Sequence, residues 1–240
     1  MKLLVTIPAR NEGEELKKKM ARLYNYLISK KFDFTLEIVD SASNDNTYLI
    51  AKGLTKEYAN INCISLKKKG KWRAIKASWN KADKKYDIIS FMDADLATDI
   101  TYFPKLIKVI NEDGYDIAIG SRYSVGSKTK RTFLRNLIGK GFIFLQKILF
   151  NTSYKDSQCG FKAIKHDKYN LIKKHLKNNE FGGDMELLII SEKIYKYKIK
   201  SIPVAWEEQK NTTINFCKTI TSFLKDLWVL FWFIKIKKNE

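Results

Sequence analysis

The sequence predicts an α/β protein, a mostly parallel sheet with flanking helices, joined by amphipathic helices toward the carboxyl end. Three observations predict it. Short apolar runs alternate with stretches of helical spacing, the pattern of βαβ units. Polar and charged residues gather just after the apolar runs, where ligands sit in such sheets. Beyond about Tyr123 the pattern changes to long helical apolar stripes flanked by lysines.

The first apolar run, Lys2–Ile7, is a buried strand closed by Pro8. Glu12–Ser29 follows with Leu16, Met20, Leu23 and Leu27 on one helical face. Thr35–Val39 is the second strand, and Asp40 to Asp45 form a turn with helix-capping chemistry. Thr47–Tyr58 is a helix and Ile61–Leu66 the third strand. A basic loop from Lys67 to Lys71 opens a helix that runs to about Ala82. Asp87–Met92 is the fourth strand, Ile100–Asn111 a helix and Asp116–Gly120 the fifth strand. A stripe of Leu134, Leu137, Ile138, Phe142, Leu145, Ile148 and Leu149 marks an interfacial helix near 132–150. Asp184–Tyr195 is a helix, Ile199–Trp206 a strand, and Phe216–Ile236 an apolar helix. The expected division is one domain over 1–210 and an amphipathic, membrane-associated helix over 211–240.

That last helix is too short in uninterrupted apolar length to span a bilayer, which takes about 20 residues. Lys225, Lys235 and Lys237 flank it, and Trp228 and Trp232 suit the headgroup region. It either lies on a membrane, the preferred reading because two such helices occur in one chain, or docks on the protein's own core.

Composition excludes several classes. With 240 residues, 45% hydrophobic and 30% charged, the chain can build a sizeable core and is not globally disordered. Three scattered cysteines, Cys63, Cys159 and Cys217, make neither a disulfide framework nor a zinc site and fit a reducing environment. No signal peptide is expected, since the apolar run before Pro8 is too short. A net charge of +19 favours anionic partners or reflects a lysine-rich composition. Arg122, Arg131 and Arg135 stand out against that background, because guanidinium offers a planar fork for phosphate. There is no GxGxxG after the first strand and no GxxxxGK[ST], which counts against a dinucleotide enzyme and a P-loop NTPase.

Asp93 and Asp95 end the fourth strand at i and i+2, so both carboxylates reach one point at the sheet's carboxyl edge. Such a pair suits Mg²⁺ or Mn²⁺, with phosphate oxygens and water completing the shell, or is simply solvated. Asp40 ends the second strand, where an acidic residue accepts from a nucleotide's base or ribose, or is an ordinary turn residue. Lys69-Gly70-Lys71 precedes a helix and suits a diphosphate. His166 and His175 have no partner pattern and are expected on the surface, and Cys159 is expected to be a small buried residue. The Asn151 and Asn211 sequons carry no weight on a cytosolic face.

Pro8-Ala9-Arg10-Asn11-Glu12, the acidic turn from Asp40 to Thr47, Gly70-Lys71 and Asp93-Ala94-Asp95 together resemble family 2 glycosyltransferases of the GT-A fold. Gly120-Ser121-Arg122, Phe133 to Leu137, Asp156 to Lys162, Asp184 to Leu188 and Trp206-Glu207-Glu208 then follow in order. That series is similar to dolichyl-phosphate β-glucosyltransferases and their polyprenyl-phosphate relatives, over nearly the whole chain. The resemblance implies inverting transfer of a sugar, glucose first, from a UDP-sugar to a dolichyl or polyprenyl phosphate at the cytosolic membrane face. It implies Pro8, Ala9, Arg10, Glu12, Asp40, Lys71, Asp93 and Ala94 around the nucleotide sugar, and Mg²⁺ or Mn²⁺ on Asp93 and Asp95. It implies catalytic roles for Asp95, Asp156, Asp184 and Arg122, and an acceptor phosphate on Arg122, Arg131 and Arg135. Asp184 otherwise caps its helix, Glu186 is an exposed helix charge, and Arg131 is a solvated loop charge.

The chain departs from the pattern at four places. Ser41 replaces the second Asp of the acidic turn, and Trp72 replaces the second glycine of the basic loop. Ala97 stands where mannosyl-transferring relatives carry a Gln metal ligand. The chain opens on its first strand, where the eukaryotic glucosyl enzymes carry a membrane anchor. The rivals are a GDP-mannose-using relative, a transferase acting on a surface glycan, a membrane scaffold and a basic nucleic-acid-binding protein, the last without any recognised module.

Overall fold

A central seven-stranded sheet runs in the order β3-β2-β1-β4-β7-β5-β8. The computed structural model describes residues 1–208 and 216–239. The strands are β1 (Lys2–Ala9), β2 (Asp33–Ser41), β3 (Ile61–Leu66), β4 (Ile88–Met92), β5 (Ile117–Ser121), β6 (Lys128–Lys130), β7 (Phe161–Lys165), β8 (Ile199–Pro203) and β9 (Ala205–Glu207). The helices are α1 (Glu15–Ser29), α2 (Thr47–Glu57), α3 (Lys71–Trp79), α4 (Phe103–Asn111), α5 (Phe133–Phe150), α6 (His166–Ile172), α7 (Gly183–Lys193) and α8 (Phe216–Asn239).

β3, β2, β1 and β4 are parallel, so their carboxyl ends share one edge. β1 is buried on both faces because apolar residues alternate between two layers: Leu3, Val5 and Ile7 enter the layer under α1, α2 and α4, and Leu4 the layer under α3 and α7. The α1 stripe of Leu16, Met20, Leu23 and Leu27 is wholly buried, as its spacing predicts.

β7 and the short β6 are not among the strands expected from the sequence. β7 runs antiparallel to both β4 and β5, in the middle of the sheet. Its Phe161-Lys162-Ala163-Ile164-Lys165 contains two lysines and therefore reads as polar, yet Lys162 is fully buried. The expected single strand over Ile199–Trp206 is two, because Val204 interrupts it and β9 leaves the sheet to pair with β6. α3 ends at Trp79, short of Ala82. His166 is a correction to the surface expectation: it is buried, with Nδ1 3.0 Å from the Tyr86 carbonyl. The expected boundary near residue 210 lies outside the described residues.

α5 and α8 present apolar residues outward. On α5 Phe133, Leu134, Leu137, Phe144 and Ile148 are exposed, while Gln146 and Phe150 point inward. Gln146 anchors the helix through Ser157 (2.9 Å) and Tyr154 (3.2 Å). α8 docks on the core through Leu227, Leu230 and Ile234, the second of the two readings weighed above, and leaves Trp228, Val229, Trp232 and Ile236 exposed. No helix among the described residues is long and apolar enough to cross a membrane.

Candidate active site

Asp93 and Asp95 follow β4 at the sheet's carboxyl edge. The Asp93 N–H donates to the Gly160 carbonyl at 3.0 Å, and a Cβ on Gly160 would fall on the Asp93 carboxylate. Asp95 Oδ1 accepts from the Ala97 N–H at 3.0 Å. Burial, and then the neighbouring Asp93 charge, push Asp95 up to about 6. Two carboxylates that repel in this way favour a cation between them, and hard oxygen donors suit Mg²⁺ or Mn²⁺. Among the described residues no cluster of three or more His, Cys, Asp and Glu could hold a metal. An ion here would take its remaining ligands from diphosphate oxygens and water.

Lys71 opens α3 and turns toward this pair. Its Nζ lies 2.8 Å from Asp93 Oδ1 and 3.3 Å from Asp184 Oδ2. Burial alone would lower the Lys71 pKa, but the Asp184 and Asp93 carboxylates more than offset it and hold the ammonium charged. The Phe91 ring lies 5.1 Å from the ammonium. Gly70, with φ 141°, brings the backbone close to Asn179. Ser41, the departure from the acidic turn, pins this glycine: its hydroxyl accepts from the Gly70 N–H at 2.9 Å and lies 3.2 Å from its carbonyl.

Asp184 is not an open acceptor-side carboxylate. It is 1% exposed and accepts from Lys162, Lys71 and the Trp72 indole. Burial would raise its pKa, and Lys162 and then Lys71 hold it below the usual range. Lys162 also donates to the Cys159 carbonyl at 2.6 Å. Asp156 is equally enclosed, at 1% exposure. It takes a forked pair from Arg122 (Nε 2.7 Å, Nη2 2.9 Å) and the N–H groups of Arg122 and Gln158, each at 3.0 Å. Despite burial, Arg122 holds Asp156 low. Glu186 is buried rather than exposed and accepts from the Lys177 and Asn178 N–H groups, each at 2.9 Å.

Arg122 and Arg131 share an aromatic support that the sequence motifs do not suggest. The Trp206 ring lies 5.6 Å from the first guanidinium and 5.2 Å from the second, and the Tyr123 ring lies 5.8 Å from each. Arg131 also donates to the Tyr123 hydroxyl and, among the described residues, pairs with no carboxylate. Arg135 pairs with Glu208. A cavity of about 420 Å³ brings these groups together. Its floor holds Lys71, Asp93, Asp95, Arg122, Arg131 and Asp156, with Arg135 at the entry to α5. Its walls are Ile138, Phe142 and Leu145 from α5 and Ile220, Phe223 and Leu224 from α8.

Pro8, Ala9, Arg10, Glu12 and Asp40 line the neighbouring strand ends instead of this cavity, with Ala9 paired to Asp40 across β1 and β2. Ala94 is buried between the two aspartates. Each Asp40 oxygen accepts one hydrogen bond, from the Ser43 N–H (3.2 Å) and the Ser65 hydroxyl (3.1 Å). Glu12 is half-buried 3.4 Å from Lys19, and burial raises its pKa.

The family model for glycosyl transferase family 2 matches residues 4–175. The chain is 32% identical over 216 residues to a dolichyl-phosphate beta-glucosyltransferase of Trichomonas vaginalis, covering 86% of the chain and 66% of that protein. It is 30% identical over 222 residues to the human dolichyl-phosphate beta-glucosyltransferase, covering 86% and 67%. It is 35% identical over 170 residues to a dolichol-phosphate mannosyltransferase of Pyrococcus furiosus, covering 70% and 47%. The chain thus spans about two thirds or less of the length of these relatives. Glucosyl-3-phosphoglycerate synthase from Mycobacterium tuberculosis, solved with Mn²⁺ and UDP-glucose, shares the GT-A fold at a TM-score of 0.67 and 15% identity, covering 94% of the chain and 78% of that structure. The chain belongs to glycosyl transferase family 2.

Proposed function

We propose that this glycosyltransferase moves a sugar, glucose first, from a UDP-sugar to a dolichyl or polyprenyl phosphate, with inversion, at the cytosolic face of a membrane. One observation carries the reading: a single cavity joins a charged floor to apolar walls built from α5 and α8. That polarity matches an acceptor with an anionic phosphate head and a hydrocarbon chain. The exposed apolar residues of the same two helices would seat the protein on the bilayer that holds the lipid.

The donor diphosphate would lie along the strand ends from Asp40 to Lys71, with Pro8 to Glu12 beside the nucleoside. Asp93 and Asp95 would hold Mg²⁺ or Mn²⁺, which neutralises charge on the leaving diphosphate when bound. Lys71 stands beside them, already charged and fixed in place, to meet the same developing charge. The acceptor oxygen is already an anion, so the reaction needs positioning more than deprotonation. This agrees with the enclosed carboxylates: Asp156 and Asp184, held ionised below the usual range, are weak bases. They serve as anchors, Asp156 for Arg122 and Asp184 for Lys71. Because Asp156 neutralises Arg122 and Glu208 pairs with Arg135, the acceptor phosphate falls first to Arg131.

The test offers the protein labelled UDP-glucose, UDP-N-acetylglucosamine, UDP-galactose or GDP-mannose, each with a polyprenyl phosphate and Mg²⁺ or Mn²⁺. Label from UDP-glucose in the organic phase, lost in Asp95→Ala, supports the reading. Label from GDP-mannose alone would move it to the mannosyl relatives, and lipid label from none would overturn it.

A further inference from the structure

Trp72 is the second residue of α3 and is completely buried. Its indole packs edge-on against Trp79 (5.9 Å) and Phe91 (5.8 Å). Gly183, at the start of α7, leaves room for it, since a Cβ there would fall on the indole. Apolar packing alone does not explain a tryptophan, because phenylalanine fills most of the same space. What the indole adds is one donor, and Nε1 gives it to Asp184 Oδ2 at 3.1 Å.

We infer that Trp72 is a positioning residue for the phosphate-facing lysine: its indole holds the Asp184 carboxylate, and that carboxylate holds Lys71. The inference rests on the reading of Lys71 as the diphosphate contact. Side chains one residue apart leave a helix about 100° apart. Lys71 and Trp72 therefore depart in different directions, yet both end on the same oxygen of Asp184, at 3.3 and 3.1 Å. The first turn of α3 is thereby clamped to the first turn of α7. Lysine carries its charge on a flexible four-carbon stem. Held between Asp184 and Asp93, that stem keeps little of its freedom before any ligand arrives. The bond is not needed simply to bury an indole, because Trp79 Nε1, in the same cluster, finds no partner among the described residues.

The experiment compares UDP with uridine by calorimetric titration of the full chain and of Trp72→Phe, with Mg²⁺ present. Phenylalanine keeps the ring contacts, so the variant melts within a few degrees of wild type. UDP affinity is expected to fall about fivefold to tenfold, the loss of one hydrogen bond to a charged group felt at one remove. Uridine affinity changes less than twofold, which a merely structural defect would not achieve. Gly183→Ala, which displaces the indole without removing its donor, gives the same selective loss. Unchanged UDP affinity in Trp72→Phe, or equal loss for UDP and uridine, overturns the inference while leaving the donor reading intact. A wild-type chain that binds no UDP overturns the donor reading itself, and the inference with it.

Discussion

Replacing Gly160 with alanine adds one methyl group at the most crowded point of the site. The new Cβ would fall on the Asp93 carboxylate, and the backbone there does not use the left-handed region, so alanine fits the main chain. Asp93 must yield, because the Gly160 carbonyl and the Asp93 N–H are tied at 3.0 Å where the paired strands β4 and β7 end. Its retreat breaks the 2.8 Å contact with Lys71 and moves one of the two carboxylates proposed to hold the metal. A misplacement of about 1 Å costs roughly 10²-fold in rate, or about 2.7 kcal/mol of barrier at 1.36 kcal/mol per decade. The stability loss is limited. Asp93 is 40% exposed and can turn toward water, while Lys71, 11% exposed, keeps Asp184, so losing the contact costs about 1–3 kcal/mol, worth roughly 2–10 °C in a chain of this size. The assay is kcat/KM for sugar transfer across a Mg²⁺ titration, alongside a melting curve. Gly53→Ala in α2, where a Cβ meets nothing within 4 Å, is the control and should leave activity unchanged. Wild-type kcat/KM in Gly160→Ala, or a loss matched by collapse of the melting transition, refutes the reasoning.

Other predictions follow from the buried charges and the exposed faces. Asp184→Ala leaves Lys162 and Lys71 buried with one carboxylate fewer and should cost about 3–5 kcal/mol in urea denaturation at neutral pH. Asp184 and Asp156 have depressed folded-state pKa values, so the unfolded chain takes up their protons first as pH falls. Their stabilisation is full above the ordinary carboxylate range and drains away below it, and urea midpoints should drop between about pH 5 and 3. Burial, then the Asp40 and Glu37 charges, push the Cys63 thiol up to about 11. Its alkylation, followed peptide by peptide, should rise about tenfold per pH unit from pH 8 to 10, and a plateau near pH 9 would contradict this. Exchanging exposed Trp228 and Trp232 together for serine should weaken vesicle binding at least about tenfold with no change in melting.

The parallel half of the sheet was legible because each of its strands is a short, mostly apolar run with polar residues following its carboxyl end. Asp93 and Asp95 were legible for the same reason, since period-two geometry places them together whatever the rest of the chain does. β7 was not, because its two lysines read as polar and the partner that lets Lys162 be buried, Asp184, lies 22 positions away. The roles of Ser41 and Trp72 were hidden too. Each reads as the loss of a motif residue, and only the fold reveals that Ser41 fastens Gly70 and Trp72 reaches Asp184. Asp156 and Asp184 were found by motif but not by environment, since enclosure by cations is a property of packing. α8 shows the limit most clearly: its period identifies an apolar face, but only packing divides that face between the core and the outside.

The most direct test of the account is a choice between acceptors. With UDP-glucose as donor, initial rates would be measured for a polyprenyl phosphate, the matching polyprenol and a soluble phosphorylated acceptor such as 3-phosphoglycerate, all at equal concentration. A cavity with a charged floor and apolar walls predicts transfer to the polyprenyl phosphate at least about a hundredfold faster than to either of the others, because only that molecule fills both halves. Equal or faster transfer to the soluble phosphate would contradict the account and leave the α5 and α8 walls without a part in acceptor choice.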